Sequence, residues 1–185
     1  MKSRMRILLI TIAIAASAGA QMAQALSTHK PAELRAKLRA GTGDPEPELR
    51  GDARRRTQVA GKGSKDEFKG RIDFPFPGNS LGITTADAAA SADIRLILGR
   101  DGIDYAECFL ELDEDELADE AEFKVDIRAR DGRLDEKKGT IDTDLSLPGI
   151  QAGLPAVQAG DTVRAVLKDA GGDLRLVDGL FKRKK

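Results

Sequence analysis

The sequence is poor in the residues that carry most enzyme chemistry. Of its 185 residues none is Trp, and it has one Tyr (Tyr105), one His (His29) and one Cys (Cys108). A lone Cys excludes an intrachain disulfide, and a lone His excludes a metal site built on two or more His ligands. Charge of either sign is not in excess: 30 Lys and Arg stand against 31 Asp and Glu, a formal net charge of −1. That balance gives no sign of a nucleic-acid-coating protein. Beyond residue 25 there is no apolar run long enough to span a bilayer.

The first 25 residues read as an address. Lys2, Arg4 and Arg6 form a positive start, Ile7 to Ala20 carry no charge, and Ala23-Gln24-Ala25 supplies small residues for a cleavage site. This is the pattern of a secretory signal peptide cleaved after Ala25, and it predicts a periplasmic or secreted protein that does not span the membrane after cleavage. Residues 26–65 differ in kind. They contain no aromatic residue, a single Val or Ile (Val59), and 8 Gly or Pro. Such a composition predicts a flexible basic arm. Within it a short helix is expected over 31–40, since Pro31 suits a first helical position, Leu34 and Leu38 would share a face, and Gly41 can end it.

From residue 66 onward the pattern has period two. Phe68, Gly70, Ile72 and Phe74 alternate with Lys69, Arg71 and Asp73; Phe123, Val125, Ile127 and Ala129 alternate with Glu122, Lys124, Asp126 and Arg128. Further alternations lie at Ile94–Leu98, Ala106–Leu112, Ile141–Leu145 and Val163–Leu167, with a last strand over Leu174 to Phe181. Asp101-Gly102 and Asp131-Gly132 are hairpin turn signals. Thr85–Ser91 is the one internal helix candidate. Together these predict an all-β domain over 66–181. The expected architecture is an antiparallel, Ig-like β-sandwich of about seven strands, with an open barrel as the alternative, followed by a basic tail at 182–185.

Candidate chemistry is sparse. Gly78-Asn79-Ser80-Leu81-Gly82 matches the spacing of a hydrolase nucleophile elbow, but no His follows it, so Ser80 lacks a base. Cys108 sits on an inward-facing position, where a thiol is inert. The run Glu111 to Glu122 holds eight carboxylates. Asp113, Asp115, Glu116 and Asp119 there, joined by Asp142 and Asp144, are candidate oxygen ligands for Ca²⁺, although the spacing of a known calcium loop is absent. Ile150, Leu154 and Val157 lie in the longest apolar loop, which either closes the core or meets a partner. Arg54, Arg55 and Arg56 form a basic cluster that could meet an anionic one. No cofactor is required by these residues. The sequence therefore predicts an exported, non-catalytic binding or structural module for a protein or an envelope or matrix component, with no nucleic acid expected. The alternatives are a Ca²⁺-dependent adhesion or matrix protein and, behind it, a hydrolase using carboxylates or Ser80.

The near-neutral total conceals opposed blocks. Residues 26–65 carry 10 basic and 5 acidic residues, whereas 66–181 carry 13 basic and 26 acidic ones.

Overall fold

Alternating side chains become strands because a pleated backbone sends successive residues to opposite faces. The computed structural model describes residues 32–41, 48–60, 63–114, 118–130, 133–143 and 154–184. Among these the strands are β1 (Ala32–Arg39), β2 (Arg50–Ala60), β3 (Gly63–Pro75), β4 (Asp93–Arg100), β5 (Ile103–Phe109), β6 (Glu111–Asp113), β7 (Glu120–Arg130), β8 (Arg133–Lys138), β9 (Thr140–Thr143), β10 (Thr162–Asp169), β11 (Gly172–Leu180) and β12 (Lys182–Arg183). One helix, α1 (Ala86–Ser91), is capped by Thr85, whose hydroxyl oxygen accepts from the Ala88 N–H at 3.1 Å.

The all-β, antiparallel fold expected from the alternation is what the chain adopts. The strands do not divide into the two sheets of a sandwich. They form one sheet in the order β6-β7-β3-β2-β1-β11-β10-β4-β5-β9, with β12 on β1 and β8 on β7. The sheet curls into a half-barrel. β6, at one end of the path, follows β5, near the other end, across the single residue Leu110. Gly139, between β8 and β9, lies so close to both sides that an added Cβ would stand 2.3 Å from the Phe109 carbonyl oxygen and 3.2 Å from that of Lys124. Only a residue without a side chain fits there, and its φ of +66° also favours glycine.

The concave face holds the core. Phe68, Ile72 and Phe74 of β3 and Phe123, Val125 and Ile127 of β7 are at most 1% exposed. Phe74 and Phe123 meet edge to face at 5.5 Å. β3 and β4 are remote in the sheet order, yet a Cβ on Gly70 would meet the Leu96 side chain at 2.2 Å. The curl thus presses opposite walls together. Asp101 and Gly102 both have positive φ, the geometry of a two-residue hairpin turn between β4 and β5.

Two expectations are corrected. Residues 32–39 are the strand β1 and not a helix, and much of the segment expected to be a flexible arm is ordered sheet: β2 lies between β1 and β3, and β3 begins at Gly63. Leu34 and Leu38 are four residues apart, a spacing that fits one face of a helix and one face of a strand equally. Ala36, buried between them, belongs to the strand face. β2 conceals itself because its inward positions, Gly51, Ala53 and Arg55, carry no large apolar side chain. At Gly51 an added Cβ would already stand 2.6 Å from Ile72 Cδ1, so the neighbouring strand supplies the apolar bulk. The basic tail also contributes: β12 pairs with β1, and the Lys184 N–H donates to the Glu33 carbonyl at 3.0 Å. The signal-peptide segment 1–25 and His29 lie outside the described residues.

Both ends of the half-barrel are covered. At one end Ile83 and Ala89, from the segment between β3 and β4, are buried against the core. At the other, Leu154 and Val157 pack on it from the loop before β10.

Candidate functional site

The convex face is charged because every second residue of each strand points outward. Across β2, β3, β7 and β8 these residues line a shallow groove of about 670 Å³. Six cations line it: Arg54, Lys69, Arg71, Lys124, Lys137 and Lys138, together with Asp52, Glu122 and Asp126. Strand register builds the pairs. Asp73 faces Glu122, Arg71 faces Lys124, and Lys69 faces Asp126. Lys69 Nζ donates to Asp126 at 2.7 Å and reaches Glu67 at 3.0 Å. Arg54 donates to Glu67 at 3.1 Å. Lys124 Nζ donates to Asp113 at 2.8 Å and pairs with Glu122 at 2.7 Å. Arg71 lies within 3.4 Å of Asp52, Asp73 and Glu122.

Most of the acids lie deeper than the cations, with Asp52, 53% exposed, as the exception. The side chains of Glu67, Asp73, Asp113, Glu122 and Asp126 are between 2% and 20% exposed, whereas those of the six cations are between 27% and 53% exposed. Short carboxylates stay near the backbone, and long Lys and Arg stems carry their charge outward over them. A ligand entering the groove meets the cations together with Asp52.

Beside the groove, opposite its lining residue Glu122, Asp73 is distinctive. Burial pushes its carboxyl up to about 6, and Glu122, Glu120 and Asp52 add to the rise against the opposing pull of Arg71. Its Oδ1 accepts no hydrogen bond among the described residues. Asp113 and Asp126 behave oppositely. Hydrogen bonds from Lys124 and Lys138 hold Asp113 below the usual range. Burial works to raise Asp126, but Arg128 and Lys69 hold it low.

The capped end near β10 has the other buried carboxylate. Asp161 Oδ1 and Oδ2 each accept from Arg100 at 2.8 Å, and Oδ2 also accepts from the Tyr105 hydroxyl at 2.9 Å and the Gln158 N–H at 2.7 Å. Arg100 further donates to the Ala156 carbonyl at 2.7 Å, and Arg55 to that of Pro155 at 3.1 Å. Two arginines thus clamp the loop that closes this end.

The sequence candidates separate accordingly. Arg54 lines the groove, while Arg55 turns inward, buried, and pairs with Asp66. Arg56 faces outward again. Period two therefore splits the basic cluster between two faces. Val157 is buried and Leu154 partly so, which makes the described part of their loop a closure of the core. Asp113 is engaged by Lys124 and Lys138; Asp119 is exposed, its carbonyl accepting from the Phe76 N–H; Asp142 lies on β9 opposite Glu107, in a second groove. Asp115, Glu116, Asp144 and Ile150 lie outside the described residues. Among the described residues no group of three or more His, Cys, Asp or Glu is placed to hold a metal ion. Cys108 is fully buried, and burial pushes its thiol up. Ser80 sits on an exposed loop pinned by Asn79, whose amide donates to the carbonyls of Pro75 and Ile83.

The second groove, about 640 Å³, crosses β4, β5, β9 and β10 and is lined by four carboxylates (Asp104, Glu107, Asp142, Asp173) and two cations (Arg164, Lys168). Comparison with protein-family models, with curated proteins and with solved structures returns no match. The reading of the site therefore rests on its geometry. Alternation marked Asp73, Glu122, Arg71 and Lys124 as outward residues. Their juxtaposition depended on a register that single-strand patterns do not contain.

Proposed function

We propose that this protein is an exported, non-catalytic β module that holds a polyanion of the cell envelope or matrix, such as a sulfated or acidic polysaccharide, in the groove across β2, β3, β7 and β8. The observation that carries this reading is the gathering of six cations, between 27% and 53% exposed, over carboxylates that are recessed except for Asp52. Fixed cations on a rigid sheet meet the repeating charges of an extended polymer without a large ordering cost in the protein. The groove offers no aromatic ring, so neither stacked bases nor the face of a neutral sugar is favoured. Export follows from the residue pattern of 1–25.

Retention of the full chain on immobilised dextran sulfate, with neutral dextran as control, tests the proposal. The expected result is salt-sensitive retention on dextran sulfate that weakens in the double variant Arg54→Glu, Lys137→Glu, and weaker binding of single-stranded DNA at equal charge. Equal behaviour on the two dextrans, or an unaffected double variant, sinks the reading.

A further inference from the structure

At the border of the groove its lining residue Glu122 faces a second acid. Asp73 on β3 and Glu122 on β7 stand directly opposite each other in the sheet, and both are buried, 8% and 2% exposed. Carboxylates at facing positions of an antiparallel pair repel when both are ionised. Around Asp73 the charged residues from each neighbouring strand are Arg50 and Asp52 on β2, Arg71 on β3, and Glu120, Glu122 and Lys124 on β7. Arg71 reaches it at 3.4 Å, and Lys124 is drawn to Glu122 and Asp113.

We propose that the Asp73–Glu122 pair is a proton-operated switch at the border of the groove: taking up one proton strengthens the grip of the overlying cations on a polyanion, and releasing it weakens that grip. The inference rests on the groove reading above and names its regulation. Protonating Asp73 removes one of the three negative charges around Arg71, leaving Asp52 and Glu122, and so leaves that guanidinium more of its charge for a ligand. The upward displacement of the Asp73 carboxyl to about 6 places the change in the mildly acidic range. Few other groups act there. The chain has one His, His29, and ordinary carboxyls titrate near 4. By linkage, a bound polyanion in turn favours the protonated pair.

The test is binding of soluble dextran sulfate by the full chain at constant ionic strength between pH 7.5 and 5.0. This probe keeps its charge over the range, so the pH dependence belongs to the protein. Wild-type affinity should rise about fivefold on acidification, the scale of removing one nearby charge at a protein surface. Asp73→Asn should bind at pH 7.5 as wild type does at pH 5.0, with a nearly flat profile, and His29→Gln should keep the wild-type profile. Glu122→Gln should move the midpoint to lower pH, which provides a second readout should Asp73→Asn fold poorly. An Asp73→Asn profile like wild type, an unmoved midpoint in Glu122→Gln, or loss of the profile in His29→Gln overturns the switch while leaving the groove intact. Absence of dextran sulfate binding at every pH removes the groove reading itself.

Discussion

Asp73, on β3, and Asp161, just before β10, are both buried aspartates near opposite ends of the half-barrel, yet their carboxyls are displaced in opposite directions. Burial works to raise both. At Asp161 two hydrogen bonds from Arg100, one from the Gln158 N–H and one from the Tyr105 hydroxyl overcome it and hold the carboxyl below its usual range. At Asp73 a 3.4 Å ion pair with Arg71 is set against Glu122, Glu120 and Asp52, and the carboxyl rises to about 6. Depth does not decide the charge of a buried acid; the count of donors does. One aspartate is therefore a rivet, and the other, facing Glu122 beside the groove, is raised toward the mildly acidic range.

The comparison can be broken most forcefully at the rivet. Asp161→Ala leaves Arg100 partly buried without its carboxylate and releases the closing loop, so urea unfolding should show a loss of about 3–5 kcal/mol. A loss under about 1 kcal/mol would mean that Val157, Leu154 and the arginine bonds to the Pro155 and Ala156 carbonyls hold the loop without the carboxylate.

At Asp73 the expected sign reverses. Its carboxyl is raised on folding, so its stabilising contribution is full below the unfolded carboxyl range near 4 and is lost as pH rises through about 6. Wild type should accordingly melt at a lower temperature at pH 7.5 than at pH 5.0. Asp73→Asn should gain about 1–3 kcal/mol at pH 7.5 and flatten that dependence. Destabilisation at pH 7.5 would show that the ion pair with Arg71 outweighs the repulsion from Glu122.

An exposed pair sets the lower bound. Arg164 donates to both oxygens of Asp104, but their side chains are 35% and 48% exposed. Arg164→Ala should cost at most about 1 kcal/mol by the same urea measurement, because water already solvates both partners. A cost matching that of Asp161→Ala would erase the distinction between buried and exposed pairs drawn here.

Legibility of the fold followed the size of the inward residues. β3 and β7 announce themselves through Phe68, Ile72, Phe123 and Ile127, and β4–β5 through Asp101-Gly102. β2 was hidden because Gly51, Ala53 and Arg55 occupy its inner face, where the core volume comes from neighbouring strands. β1 was misread because a four-residue spacing of leucines serves helix and strand alike. In the site, alternation placed Lys69, Arg71, Lys124 and Asp126 on an outer face, but neither the pairing of Asp73 with Glu122 nor the donors around Asp161 could be read. Those partners come from 49 and up to 61 residues away in sequence.

By itself the sequence determined the strand alternation, the turn at Asp101-Gly102, the short helix near Thr85–Ser91 and the scarcity of catalytic side chains, because each depends on neighbours within a few residues. Tertiary structure decided that one sheet curls where two were expected, that β1 and β2 belong to it, and which buried acid is met by donors and which by another acid. Those outcomes depend on register and on close approach between remote segments, as at Gly70 against Leu96 and Gly139 against Phe109, and local propensity does not encode such contacts.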